Sequence, residues 1–114
     1  LNSKDIWKIA NLRYFNPIGA HCSGLIGEDP TDNPNNIFPL ITNVAAGKLK
    51  QLEVYGNDWP TLDGYGVRDY IHVMDLAEGH INTLEYIDKN VPQVINLNIG
   101  TGIGVSVLEL IEKN

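Results

Sequence analysis

Cysteine is almost missing: Cys22 stands alone among 114 residues. One thiol excludes an internal disulfide, and no zinc-type Cys/His spacing occurs, so a reducing, cytoplasmic setting is expected. Positive charge is scarce as well. Eight Lys and Arg face fourteen Asp and Glu, a net charge of −6. No basic patch stands out, and a nucleic-acid partner is not expected. The same deficit means that an anionic ligand must be gripped by a few placed groups, not by the general field. No apolar run approaches the ~20 residues of a membrane span and no signal-peptide pattern is found, so no membrane partner is expected. Internal repeats and low-complexity tracts are lacking too.

What is present is the profile of one soluble globular unit, 43% hydrophobic and 19% charged, near the small end for an independent fold. The chain opens on Leu1 and stops inside an apparent helix that includes Leu110 and Ile111. It is read as an internal segment of a longer protein.

Clusters of turn residues separate the elements. Residues 10–15 are expected to form a strand that ends at Asn16-Pro17, because proline breaks a ladder and restricts its predecessor. A long loop over 18–35 follows. Ile37, Leu40, Ile41, Val44 and Ala45 share one helical face, with Asn35 or Asn36 as the cap and Gly47 as the stop. Residues 52–55 alternate like a strand, and 59–66 form a second loop. Residues 70–73 are expected to be a strand. Asp75 with Glu78 makes a capping box for a helix whose inner face is Leu76, Ala77, His80, Ile81, Leu84 and Ile87. A strand at 94–99 places Ile95, Leu97 and Ile99 on one side. A glycine turn at 100–104 then leads to a second capping box, Ser106 with Glu109. This alternation predicts an α/β fold with parallel pairing.

Several constellations invite chemistry. The Gly100-x-Gly-x-Gly104 turn lacks the dinucleotide-binding spacing and is read as a tight strand-to-helix connection. Asn35-Asn36 at a helix start either caps the helix or, with the outward backbone amides, meets phosphate oxygens. Arg68, between a glycine turn and a short strand, either clamps a phosphate with its planar fork or pairs with Asp69 or another acid. Asp69 itself is expected to be structural. Tyr14 and Asn16 lie at a strand's carboxyl end, where open α/β sheets bind ligands. Tyr55 and Trp59 offer a flat wall or fill the core. His72 and His80 are expected to be packed residues. His21 beside Cys22 lacks a third orienting group and is not a nucleophile pair.

Five motifs occur in order: Leu12-Arg-Tyr-Phe-Asn-Pro-Ile-Gly-Ala-His21, Gly27-Glu-Asp-Pro30, Pro34-Asn-Asn-Ile-Phe-Pro39, Tyr55-Gly-Asn-Asp58 and Gly66-Val-Arg-Asp-Tyr-Ile-His-Val-Met-Asp-Leu-Ala77. Together they resemble the UDP-glucose 4-epimerases of the extended short-chain dehydrogenase/reductase family, over nearly the whole chain. The resemblance implies part of a Rossmann-like doubly wound fold plus part of the smaller substrate-binding domain. It also implies an NAD-dependent isomerase of galactose metabolism that interconverts UDP-glucose and UDP-galactose by oxidation at C4, rotation of the keto sugar and re-reduction. The family's catalytic Tyr-x-x-x-Lys pair and glycine-rich NAD loop lie upstream and do not occur in this sequence. No catalytic residue or metal site is therefore assigned, and the segment alone is expected to be inactive.

Carried across by motif, the resemblance implies that Tyr14 lies near the nicotinamide end of NAD and that Asn16 contacts the UDP-sugar. Asn36, with the amide of Ile37, holds the diphosphate. Tyr55 borders the uracil, and Arg68 binds the diphosphate. Residues 1–17 would end the nucleotide-binding domain, 18–66 would be a substrate-domain insertion, and 67–114 would be shared between the two. A homodimer is implied for the full-length enzyme, through helices not in this sequence. Rival readings are an epimerase or dehydratase acting on another nucleotide sugar, and a non-catalytic nucleotide-binding module.

Overall fold

The computed structural model describes residues 6–30 and 34–113; expectations that touch 1–5, 31–33 and 114 lie outside them. The elements in order are β1 (Lys8–Tyr14), β2 (Asn16–Ile18), α1 (Ile37–Ala45), β3 (Val67–Arg68), β4 (Tyr70–His72), α2 (Val73–Lys89), β5 (Gln93–Ile99), β6 (Val105–Ser106) and α3 (Val107–Glu112). β1 pairs in parallel with β5, from Lys8 opposite Gln93 to Tyr14 opposite Ile99. β2 pairs in parallel with β4, Asn16 opposite Tyr70. β3 and β6 form a two-residue antiparallel ladder, Arg68 opposite Val105. Helix α2 carries the chain from β4 to β5, the crossover that parallel strands require.

β1 and β2 are separated by Phe15 alone, and there the chain changes neighbours. The Phe15 amide still donates to the Ile99 carbonyl at 3.2 Å, while the Asn16 amide donates to the Asp69 carbonyl at 3.0 Å. The strand expected to stop at Asn16-Pro17 therefore continues as β2. Proline lacks a donor, but a short ladder with one partner among the described strands does not need its N–H.

The alternation of β1 and β5 sets which face is covered. Ala10, Leu12 and Tyr14 share a side with Ile95, Leu97 and Ile99. α2 lies on that side, for a Cβ added at Gly79 would stand 3.3 Å from Ile99 Cδ1. The opposite side carries Ile9 and Val94, register partners that are 40% and 51% exposed. On α2 the expected inner face is only partly realised. Leu76 and Thr83 are buried, but Ile81 and Leu84 remain 58% and 64% exposed, because no described element packs on that flank.

The caps correct one expectation and bear out another. α2 begins at Val73, not after Asp75: His72 Nδ1 accepts the Met74 amide at 3.2 Å, and Asp75 sits in the first turn, where its charge still favours the helix dipole. α3 is capped by Ser106 as expected, its Oγ accepting the Glu109 amide at 3.0 Å, while the Glu109 carboxylate accepts Lys113 Nζ at 2.6 Å. Helix α1 closes with the Gly47 amide on the Val44 carbonyl. The strand expected at 52–55 does not form; residues 51–56 are irregular because no strand lies alongside to complete a ladder.

The buried apolar side chains among the described residues are few: Pro39, Ile41, Ile71, Leu76 and Leu110. The accessible surface is 8780 Å², against about 6,200 Å² for a folded monomer of this size. The radius of gyration is 18.2 Å, against about 13 Å for a compact chain of this length. Both departures have the same cause. The sheet surfaces and helix flanks are apolar, yet this chain supplies little to cover them.

Candidate functional site

The chain changes strand partner between Phe15 and Asn16, at the carboxyl end of β1, the edge where open α/β sheets take ligands. Three of the expected site residues meet here through the backbone. Tyr14 ends β1 opposite Ile99, Asn16 opens β2 opposite Tyr70, and Arg68 precedes Asp69, whose carbonyl receives the Asn16 amide. Tyr14 is exposed, with its ring tilted against His80 at a centroid distance of 6.1 Å. His72 and His80, both expected to be packed, are instead exposed, because little of the described chain covers this end of α2; His80 Nδ1–H donates to the Leu76 carbonyl of its own helix at 2.9 Å.

The alternatives left open for Arg68 are narrowed by its surroundings. Its guanidinium donates to the Val67 carbonyl at 2.9 Å and lies at the surface, and among the described residues it forms no ion pair. Asp69 is occupied elsewhere. Its Oδ1 accepts the Thr101 amide at 3.0 Å and the Thr101 hydroxyl at 2.8 Å, and its Oδ2 accepts the Gly102 amide at 2.8 Å. The Thr101 amide is the main influence holding the Asp69 carboxyl below its usual range, with partial desolvation opposing it. The structural role expected of Asp69 is thus borne out, though sequence could not show its partners 32 and 33 residues away.

A cavity of about 450 Å³ runs beside β2 and the start of α2, lined by Pro17, Ile18, Gly27, Glu28, Asn36 and Met74 among others. Asn36 reaches it from the position preceding α1. Although Asn36 is the N-cap residue of α1, its side chain makes no capping bond; instead Nδ2 donates to Glu28 Oε1 at 3.2 Å. Glu28 is a neighbour that periodicity and capping rules could not reveal; the Gly27-Glu-Asp-Pro run was its only trace. Ile37 follows as the first residue of α1. Arg68 does not line this cavity.

Tyr55 stands apart from both clusters. It is 82% exposed on an irregular segment, and its hydroxyl donates to Glu53 Oε2 at 2.7 Å. That bond raises its hydroxyl pKa above the ordinary tyrosine value. No group of three or more His, Cys, Asp or Glu able to hold a metal occurs among the described residues. No helix there is long and apolar enough to cross a membrane.

The sequence profile of the NAD dependent epimerase/dehydratase family matches residues 2–100. The chain belongs to this family. It is 59% identical over 106 residues to the UDP-glucose 4-epimerase of Bacillus subtilis (strain 168), covering 93% of this chain and 31% of that protein. With the UDP-glucose 4-epimerase of Yersinia enterocolitica it shares 60% identity over 107 residues. Among solved structures it superimposes on UDP-glucose 4-epimerase from Bifidobacterium longum in complex with NAD+ and UDP with a TM-score of 0.89 at 52% identity, covering 96% of this chain and 32% of that one. The enzyme from Stenotrophomonas maltophila, with bound NAD and formylated UDP-arabinopyranose, gives 0.88 at 55% identity. The chain therefore spans about 31% of the length of the curated relatives it matches, and its α/β architecture is part of a Rossmann-like fold. The surplus surface is what such a share of a larger family fold would leave.

Proposed function

We propose that this chain is the substrate-binding portion of a UDP-glucose/UDP-galactose 4-epimerase and is catalytically inactive alone. The observation that carries the proposal is the switch of strand partner at Phe15–Asn16, which brings the backbone of Tyr14, Asn16 and the Arg68 strand to one sheet edge in a chain so similar to an epimerase with bound NAD+ and UDP. Residues 1–17 close the nucleotide-binding domain, 18–66 serve the substrate domain, and 67–114 belong to both. NAD, when bound, supplies reversible hydride acceptance at the sugar's C4.

In this reading a few side chains and amides of the chain bind and orient substrate and cofactor. Arg68 offers its outward guanidinium fork to the diphosphate, a geometry suited to paired phosphate oxygens. Asn36 and the first amides of α1, beginning at Ile37, add neutral donors at a helix N-terminus. Asn16 binds the sugar end, Tyr14 flanks the nicotinamide end of NAD, and Tyr55 borders the uracil. With net charge −6, these few donors carry the recognition of a dianionic linkage.

A second reading has one observation in its favour. The chain is 56% identical over 109 residues to a bifunctional UDP-glucose 4-epimerase and UDP-xylose 4-epimerase of Arabidopsis thaliana. A pentose acceptor would use the same diphosphate and uracil contacts. The test for both is titration of the full-length protein with UDP, then turnover of UDP-galactose and UDP-xylose. Micromolar UDP binding and preferred turnover of the hexose support the first reading. No UDP binding removes both.

A further inference from the structure

We propose that Asp69 is a positioning residue whose carboxylate sets Arg68 in place through the 100–104 turn. This rests on the reading of Arg68 as the diphosphate contact. The ladder that carries Arg68 is only two residue pairs long, Val67 with Ser106 and Arg68 with Val105. So short a ladder does not fix a strand by itself. Its other half, β6, is delivered directly by the turn that Asp69 holds.

The connections form a closed ring. Asp69 follows Arg68 in the chain. Its carboxylate accepts the Thr101 amide and hydroxyl and the Gly102 amide. The Thr101 hydroxyl in turn accepts the Ile103 amide at 3.1 Å. Three residues after Gly102, β6 pairs back onto Arg68. The turn is also pressed from the side: a Cβ on Gly100 would stand 2.6 Å from Asp69 Oδ2 and would overlap the Phe15 ring. The Asp69 carbonyl meanwhile receives the Asn16 amide, so one residue joins the sugar-side strand to the phosphate-side strand.

The chemistry demands an ionised acceptor. Three donors converge on two carboxylate oxygens, and a carboxylate donates nothing back. In Asp69→Asn one oxygen becomes an NH₂. Turned one way the amide sets a donor against the Gly102 N–H, turned the other against the Thr101 N–H, so one of the two backbone bonds is lost in either case. Arg68, which makes no ion pair with Asp69, is untouched as a chemical group.

The experiment measures UDP affinity by titration calorimetry on the full-length enzyme, in Arg68→Ala, Asp69→Asn and the double variant. UDP lacks the sugar, so the measurement does not read Asn16. Asp69→Asn is expected to raise the Kd about 5- to 20-fold, as for an indirectly displaced charged contact. The double variant is expected to bind within about twofold of Arg68→Ala, because residues acting through one contact are not additive. Thr101→Val removes the hydroxyl, both as donor to Asp69 and as acceptor of the Ile103 amide within the turn, and about a threefold rise is expected. If Asp69→Asn does not fold, Thr101→Val and its double with Arg68→Ala decide in the same way. Parent-like affinity in the folded variant, or losses that multiply with Arg68→Ala, overturn the proposal and leave the diphosphate reading standing. Unchanged affinity in Arg68→Ala removes that reading and the proposal together.

Discussion

Asn36 Nδ2 donates to Glu28 Oε1 at 3.2 Å, so the amide read as a phosphate ligand is held by a carboxylate at the rim of the cavity. A diphosphate arriving at Asn36 must displace that acid or lie close to it. In the full-length protein Glu28→Gln is expected to tighten UDP binding about two- to fivefold, the size expected for an exposed charge. The gain should shrink at high salt. Weaker binding would mean that the Asn36–Glu28 bond orients the amide instead of competing for it.

Replacing Arg68 with Ala should weaken UDP-sugar binding by roughly 2–4 kcal/mol, the cost of a lost charge-assisted contact. Lysine at the same position should recover only part of this, since a point charge cannot reproduce the planar fork. Inhibition constants for UDP in the two variants check the order. Equal recovery by lysine would contradict paired contact with the phosphates.

Gly100→Ala should lower the urea midpoint of the full-length protein. The added methyl meets the Phe15 ring on one side and Asp69 on the other, and overpacking of this kind costs about 1–3 kcal/mol. A midpoint equal to that of the parent would show that the contact relaxes freely.

Acid should loosen the 100–104 turn. The folded state holds the Asp69 carboxyl below the ordinary aspartate value of 3.8, chiefly through the Thr101 amide. A group whose pKa is depressed on folding contributes stability above its unfolded value and loses it as pH falls through the folded one. The contribution is therefore complete at neutral pH, begins to fall near 3.8 and is gone once the pH has passed below the lower, folded value. Unfolding of parent and Asp69→Asn compared at pH 7 and pH 3 should show a gap that narrows in acid. A gap that persists unchanged would mean the carboxyl titrates alike in both states.

Produced alone, these 114 residues should self-associate. The accessible surface exceeds that of a compact monomer by about 2,600 Å², and the exposed residues include Trp7, Ile9, Leu84 and Val94. Sedimentation velocity should find oligomers, and a hydrophobic dye should bind at neutral pH. A monomer with one cooperative melt would count against the expectation.

Much of the frame was legible because periodicity and capping are local. The apolar face at Ile37, Leu40 and Ile41, the Ser106–Glu109 cap and the alternation through Ile95, Leu97 and Ile99 all appear where they were expected. Alternation at 52–55 misled because it looks the same with or without a neighbouring strand. The start of α2 was missed because a histidine took the capping position usually held by Ser, Thr or Asp. β3 and β6 are too short for any period to register. At the site, residue identity could suggest Asn16, Asn36 and Arg68. Glu28 against Asn36, and Thr101 against Asp69, depend on distant parts of the chain meeting in space.

The two-residue partner of the Arg68 strand is Val105–Ser106, and the family profile ends at residue 100. Trimming this polypeptide to the profile's match would therefore cut off the strand that pairs with Arg68. The boundary that keeps this ladder whole lies at least six positions further on, past the glycine turn and at the cap of the helix that follows.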